Sequence, residues 1–216
     1  MRTEMQTTRV TVSIDDLRDR ERYELLRELG FNDLMAFVTE YYWKRRSVLT
    51  LSHVGLTFVF LGMWLATGLG GKGSLDDWLT SWGGAFVVFL LLLPLHEALH
   101  GLVYRLCGAT DVRYGILWRQ AAAYATAHNF VADARQFTWI ALTTFLIING
   151  GLLLAAALLP EWRPLLLGAL FWHTTGTAGD FALLNYFRLH RDREIYTYDD
   201  AETKTIARVE SLKPGY

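Results

Sequence analysis

Cysteine is almost absent from this chain of 216 residues, which contains Cys107 alone. A single cysteine excludes an intramolecular disulfide and any zinc site built from several cysteines. An excess of basic charge is absent too, because 21 Lys and Arg residues stand against 22 Asp and Glu residues. The formal net charge is -1, so nucleic acid is not an expected partner.

Charged side chains are also scarce in two long stretches, residues 47–104 and 136–187. These stretches contain only seven of them: Lys72, Asp76, Asp77, Glu97, Glu161, Arg163 and Asp180. All other charges lie in residues 1–46, 105–135 and 188–216. Such segregation is not typical of a soluble globule, and a hydrophobic content of 52% excludes a disordered chain.

Four segments are long and apolar enough to cross a bilayer as helices, which takes about 20 residues each. They are residues 47–71, 83–104, 136–159 and 164–187. The alternative is a soluble bundle, but its four helices would then be apolar on every side. The pattern therefore predicts an all-α membrane protein with four transmembrane helices.

The distribution of Lys and Arg predicts the orientation of these helices. Of the 21 basic residues, 19 lie in residues 1–46, 105–135 and 188–216, and only Lys72 and Arg163 lie in the other two connections. Because basic residues are retained on the cytoplasmic side, we expect both termini and the middle loop to be cytoplasmic.

The two polar ends are expected to flank the membrane domain, residues 47–187, as separate segments. Residues 1–46 are predicted to form cytoplasmic amphipathic helices, with Ser13 as a cap and Asp16 three residues later. Their apolar stripe comprises Leu17, Leu25, Leu26 and Leu29. The cytoplasmic tail, residues 188–216, is expected to be extended or loosely ordered.

The second predicted span contains the sequence His96-Glu97-Ala98-Leu99-His100, an HExxH motif. An ionisable residue at this depth costs about 2.5–3.5 kcal/mol, so Glu97 needs a function or a partner. Histidines four residues apart share one face of a helix and can hold one zinc ion, while the Glu between them reaches a water at the metal. The alternative is a pair of packing histidines beside a protonated or snorkelling Glu97.

A catalytic zinc site needs a third protein ligand, and Asp180 is the other acidic residue of the spans. His96 and His100 precede Arg105 by nine and five residues, and Asp180 precedes Arg188 by eight. At 1.5 Å per residue, the three lie about 13, 7 and 12 Å from the cytoplasmic boundary. The matching depths predict Asp180 as the third ligand.

Other polar residues are weaker candidates. His173 is expected to be a core histidine or an outer hydrogen-bond donor to the site rather than a ligand, and His53 is expected to pack at the interface. The donors that would stabilise an oxyanion cannot be chosen from sequence, and the candidates are Tyr124, His128 and Asn185.

An apolar helix with HEALHG, followed by an apolar helix with GTAGD, resembles a family of small membrane zincins of uncharacterised function. That family is similar to the site-2 proteases, which are intramembrane zinc metallopeptidases. The resemblance covers residues 91–196 and implies His96, His100 and Asp180 as zinc ligands, Glu97 as the catalytic base and a plasma membrane location. Site-2 proteases typically carry Asn-Pro-Asp-Gly around the acidic ligand, whereas this chain has Ala-Gly-Asp-Phe. Details of substrate gating are therefore not transferred.

The middle loop contains two short β-prone stretches, residues 112–117 and 121–127, which predict a possible β-hairpin. Site-2 proteases have a similar hairpin, whose edge can pair with an unwound substrate. The alternative is an interfacial loop anchored by Tyr114, Trp118 and Tyr124.

The sequence thus favours a zinc metalloprotease that hydrolyses peptide bonds of membrane proteins or peptides near the cytoplasmic face. The main alternative is a non-catalytic membrane protein with a structural metal site. A haem protein is disfavoured because His96 and His100 share one helix face, and haem ligands must lie on opposite sides of the macrocycle. A proton or ion transporter is disfavoured because four helices without repeats are few for that function.

Overall fold

Helices make up most of the protein, as the uncharged stretches predict. A computed structural model describes residues 12–69, 74–117, 122–200 and 205–214. The helices are α1 (Ile14–Leu17), α2 (Leu34–Val38), α3 (Val48–Leu69), α4 (Leu75–Leu106), α5 (Ala134–Leu158), α6 (Arg163–Gly176) and α7 (Ala178–Leu189). The strands are β1 (Tyr23–Gly30), β2 (Val112–Leu117), β3 (Ala122–Ala127), β4 (Ala132–Asp133), β5 (Ile195–Asp200) and β6 (Thr205–Leu212).

Three helices of the described ranges are long and apolar enough to cross a membrane. Their spans are Val48–Thr67 in α3, Leu79–Leu106 in α4 and Ala134–Leu158 in α5, with mean hydropathies of 1.8, 1.9 and 2.0. They correspond to the first three predicted spans and indicate a membrane protein. Pro94 lies inside α4, and the helix continues through it to the HExxH motif.

The fourth predicted span, residues 164–187, is not one helix. The chain leaves helical geometry at Thr177, whose φ and ψ are -80° and 7°, and α7 begins at the next residue. The Thr177 hydroxyl donates to the carbonyl of Thr174 at 2.7 Å, a local side-chain bond that competes with helix continuation. The prediction of a continuous helix is therefore wrong, and a fourth crossing of the membrane stays a prediction.

Close packing fixes α6 against α3 and α4. A Cβ atom on Gly168 would come within 2.6 Å of both the Cβ of Ala85 and the indole of Trp64. Trp64, Ala85 and Leu170 belong to one buried apolar cluster at this crossing. Because only glycine allows such an approach, Gly168 sets the position of the helix that carries His173.

The polar ends of the chain form a sheet, so the prediction of amphipathic N-terminal helices is wrong for residues 23–30. The Ser13–Asp16 capping box is present, but it caps a helix of four residues. Leu25, Leu26 and Leu29 lie in β1, which pairs antiparallel with β6 of the tail. The full order is β1-β6-β5-β4, with antiparallel pairing throughout.

A partly buried ion pair joins the two ends as well. The Arg20 guanidinium contacts both oxygens of Glu210, at 2.6 and 3.1 Å, and Glu210 is fully buried. β1 and β6 are far apart in sequence, so the local spacing of the leucines gave no sign that these strands pair. The pairing of the two strands overrides the helical periodicity of β1.

The predicted β-hairpin of the middle loop is confirmed. β2 and β3 pair antiparallel, from Val112 opposite Ala127 to Leu117 opposite Ala122. Trp118, a predicted interfacial anchor, lies outside the described residues, and Tyr114 is half exposed. The position of the hairpin relative to the membrane stays a prediction.

Candidate metal centre

The three predicted metal ligands come from α4 and α7, and their side chains meet in the structure. His96 and His100 lie one turn apart on α4, and Asp180 lies in the first turn of α7. The Nε2 atoms of the two histidines are 2.9 Å apart. Asp180 Oδ2 is 3.5 Å from Nε2 of His96 and 3.6 Å from Nε2 of His100. One ligand atom from each residue therefore lies within 4.8 Å of the other two.

A chain of hydrogen bonds from α5 and α6 assigns the proton on His96. Asn149 Nδ2 donates to Thr174 Oγ1 at 3.1 Å, which leaves Asn149 Oδ1 to accept from His173 Nδ1 at 2.7 Å. His173 Nε2 then has a lone pair, and it accepts from His96 Nδ1 at 3.1 Å. The proton of His96 is therefore on Nδ1, and its Nε2 presents a lone pair. His173 is a buried histidine with both ring nitrogens bonded, and toward His96 it accepts a hydrogen bond rather than donating one as expected.

The proton on His100 is assigned by the backbone of α5. His100 Nδ1 is 3.1 Å from the carbonyl oxygen of Ile140, which can only accept a hydrogen bond. His100 therefore carries its proton on Nδ1, and its Nε2 also presents a lone pair. Because the carbonyl belongs to α5, this helix orients the second imidazole from outside the motif.

The Nε2 lone pairs of His96 and His100 thus face Asp180 Oδ2, and none of these three atoms carries a hydrogen to donate. Asp180 Oδ2 is buried and has no hydrogen-bond partner, which is costly for a carboxylate. A cation at this point would satisfy all three atoms. Two imidazole nitrogens and one carboxylate oxygen are a common ligand set of catalytic zinc, so the residues fit this metal.

The break at Thr177 lies next to the candidate site, because α7 starts anew at Ala178, two residues before Asp180. His53 of α3 holds the break through Nε2, which is 3.0 Å from Thr177 Oγ1. His53 Nδ1 is 2.6 Å from the hydroxyl of Tyr42. His53 is buried and bonded on both sides of its ring, a connecting role that the expectation of interfacial packing did not include.

Glu97 lies in the wall of a cavity of about 380 Å³ that contains the three ligands. The backbone N–H of Ala125 in β3 donates a hydrogen bond to its carboxylate. Ala123, Tyr124 and Asp199 line the same cavity. The hairpin thus forms one wall of the site, and the HExxH helix forms another.

Only one of the three expected oxyanion donors, Tyr124, is among the residues that line this cavity. Asn185 is fully buried elsewhere and donates to the carbonyls of Tyr41 and Arg45 at 2.6 and 2.8 Å. The ring of His128 contacts the Asn129 side chain outside the cavity. Sequence reasoning did not single out Asp199, because it lies in a tail that has no recognisable motif.

Residues 89–193, just under half of the chain, match the model of a family described as "Putative zincin peptidase". The matched range contains the HExxH motif and Asp180. No curated protein and no solved structure matches the chain significantly. The family match supports a zinc metallopeptidase in general terms, and its description does not mention site-2 proteases.

Proposed function

We propose that the protein is an intramembrane zinc metalloprotease of the site-2 type, which hydrolyses peptide bonds of membrane-associated substrates near the cytoplasmic face. The observation that supports it best is the meeting of His96 Nε2, His100 Nε2 and Asp180 Oδ2 within 4.8 Å. Glu97 shares their cavity, as the HExxH chemistry requires.

Zinc held by His96, His100 and Asp180 would supply a Lewis acid that lowers the pKa of a water to about 7 and polarises the substrate carbonyl. Glu97 accepts the proton of this water and later donates it to the leaving amine. The Ala125 N–H holds the Glu97 carboxylate against the hairpin, so the base faces the cavity before substrate arrives. Tyr124, in the same wall, is the candidate donor to the developing oxyanion.

The apolar part of the cavity wall supports a substrate with apolar side chains. Phe89 and Leu93 of α4, Leu34 and Val38 of α2, and Leu183 of α7 line the cavity. An unwound segment of a transmembrane helix is rich in such side chains. The residues next to the metal centre therefore suit a membrane protein substrate.

The charges at the helix ends support a site near the cytoplasmic face. Lys44, Arg45 and Arg46 precede α3, Arg105 lies in the last turn of α4, and Arg188 in that of α7. His100 is only five residues from Arg105, so the metal centre lies near the basic end of α4.

Metal analysis of the purified protein tests the proposal. We expect one zinc ion per chain after purification without chelators. Its X-ray absorption spectrum should show two nitrogen ligands and at least one oxygen ligand, at about 2.0–2.2 Å. A protein that binds no metal, even after dialysis against zinc, would contradict the proposal.

Asn149→Leu should weaken zinc binding by about 10- to 100-fold, as is usual for the loss of an outer partner of a metal ligand. Without the Asn149 carbonyl, His173 can no longer fix the proton of His96 on Nδ1. Zinc affinity would be measured by competition with a chromophoric chelator. The matched control is Asn32→Leu at an exposed position, for which we expect wild-type affinity. Equal affinities of the two variants would show that the hydrogen-bond chain does not tune the metal site.

A further inference from the structure

The outer edge of β3 faces the cavity. His128 N donates to the carbonyl of Asp111 at 2.9 Å, which fixes the alternation of hydrogen bonds along the hairpin. In an antiparallel pair, alternate residues direct their N–H groups to the partner strand and away from it. The N–H groups of Ala125 and Ala127 therefore point away from β2.

Two carboxyl groups from other elements accept hydrogen bonds from these outward N–H groups. Glu97 of α4 accepts from Ala125, and Asp199 Oδ2 of β5 accepts from Ala127 at 3.0 Å. Both carboxyl groups line the same cavity. Residues two apart along a strand are about 6.8 Å apart, so the two N–H groups that these carboxyl groups approach have the spacing of alternate residues in an extended peptide.

Asp199 is held firmly in this position, since its backbone carbonyl accepts from the Asn129 N–H at 3.1 Å and its side chain is buried. Burial raises the pKa of Asp199 to about 8, so the group is largely a neutral carboxylic acid at pH 7. With one oxygen accepting from Ala127, a protonated carboxyl group still has one O–H to donate. The natural acceptor for it in a peptide is a backbone carbonyl.

We propose that Asp199 is a substrate-positioning residue, which donates a hydrogen bond to a backbone carbonyl about two residues from the bond hydrolysed beside Glu97. This proposal rests on the proposed peptidase function and names its substrate class as a peptide extended along β3. Conventional strand addition is blocked at this edge, because the two carboxyl groups occupy the N–H groups that an added strand would use. A carbonyl of the substrate backbone then accepts a hydrogen bond from the carboxyl group of Asp199, rather than from the Ala127 N–H.

Peptidyl hydroxamates, which anchor on zinc, can test this without a known substrate. The short probe is N-acetyl-leucine hydroxamate, and the long probe adds two alanines before the leucine. In a second pair, a malonyl hydroxamate is attached to the amino end of leucine, and the long probe adds two alanines after the leucine. The two pairs therefore extend from the metal in opposite directions along the peptide. Affinities are measured by calorimetry on the zinc-loaded protein in detergent.

Asp199→Ala should weaken the long probe of one pair by about tenfold, the usual effect of losing one hydrogen bond, and change both short probes less than twofold. Asp199→Asn keeps an acceptor for Ala127 and a donor toward the cavity, so it should restore most of the affinity. The matched control is Asp111→Ala on the same hairpin, where the carboxylate is half exposed and pairs with Arg113 outside the cavity. A role limited to holding the hairpin would instead weaken short and long probes alike.

Two further results would overturn the proposal in distinguishable ways. If the wild-type protein binds zinc and the short probes, but all long probes bind Asp199→Ala as tightly as wild type, only the role of Asp199 is wrong. If the wild-type protein binds neither zinc nor any hydroxamate, the peptidase function itself is wrong.

Discussion

Glu97→Gln is expected to lower peptide hydrolysis by about 100- to 10,000-fold while the protein keeps its zinc, because this range is typical for the loss of a general base. Glutamine has the shape of glutamate but cannot accept the proton of a water. Its side-chain carbonyl can still accept the hydrogen bond that Ala125 donates, so the hairpin should stay in place. The substitution therefore separates proton transfer from folding and from metal binding.

The assay would use a mixture of synthetic transmembrane peptides in vesicles, with the cleavage products identified by mass spectrometry. The matched control is Glu161→Gln, since Glu161 lies in the short turn that follows α5. This variant should cleave the peptides as the wild type does. Loss of zinc from Glu97→Gln would show that Glu97 is part of the metal site rather than its base. Unchanged biological activity of the variant would favour the non-catalytic alternative.

The grouping of His96, His100 and Asp180 could be anticipated from the sequence, because the motif is local and the comparison of depths needs only two spans. The spacing of His96 and His100 fixes one helix face, and Glu97 in an apolar span needs a chemical reason. The depth argument for Asp180 required only the rise of a helix and the positions of Arg105 and Arg188. Asp180 lies beside both histidines, although the helix that carries it begins only at Ala178.

The sheet and the wall of the cavity could not be predicted in this way, because they depend on contacts between distant parts of the chain. β1 pairs with β6 from the opposite end of the chain, and the leucines of β1 also fit a helical spacing. The break at Thr177 depends on a buried histidine of another helix, His53. Asp199 acquires its position only when β5 meets the end of β3. Local periodicity contains none of these pairings.

Asp180→Ala is expected to weaken zinc binding by more than about 100-fold, beyond the effect of removing an outer partner, because a direct ligand is lost. The carboxylate also provides the negative charge of the ligand set, which two neutral imidazoles cannot replace. Zinc affinity would be measured with the same chelator competition, and Asp192→Ala at an exposed site is the matched control. Unchanged affinity would place the third ligand elsewhere.

The same substitution should have the opposite effect on the metal-free protein. Asp180 Oδ2 is buried without a hydrogen bond, so without a cation the carboxylate destabilises the fold. We therefore expect metal-free Asp180→Ala to unfold at the same temperature as the metal-free wild type, or at a higher one. Zinc at a concentration that just saturates the wild type should raise the unfolding temperature of the wild type more than that of the variant, since a ligand that binds the native state stabilises it. A carboxylate retained for metal binding is expected to cost stability until the metal is bound. A metal-free variant that is less stable than the metal-free wild type would therefore show that Asp180 serves the packing of α7.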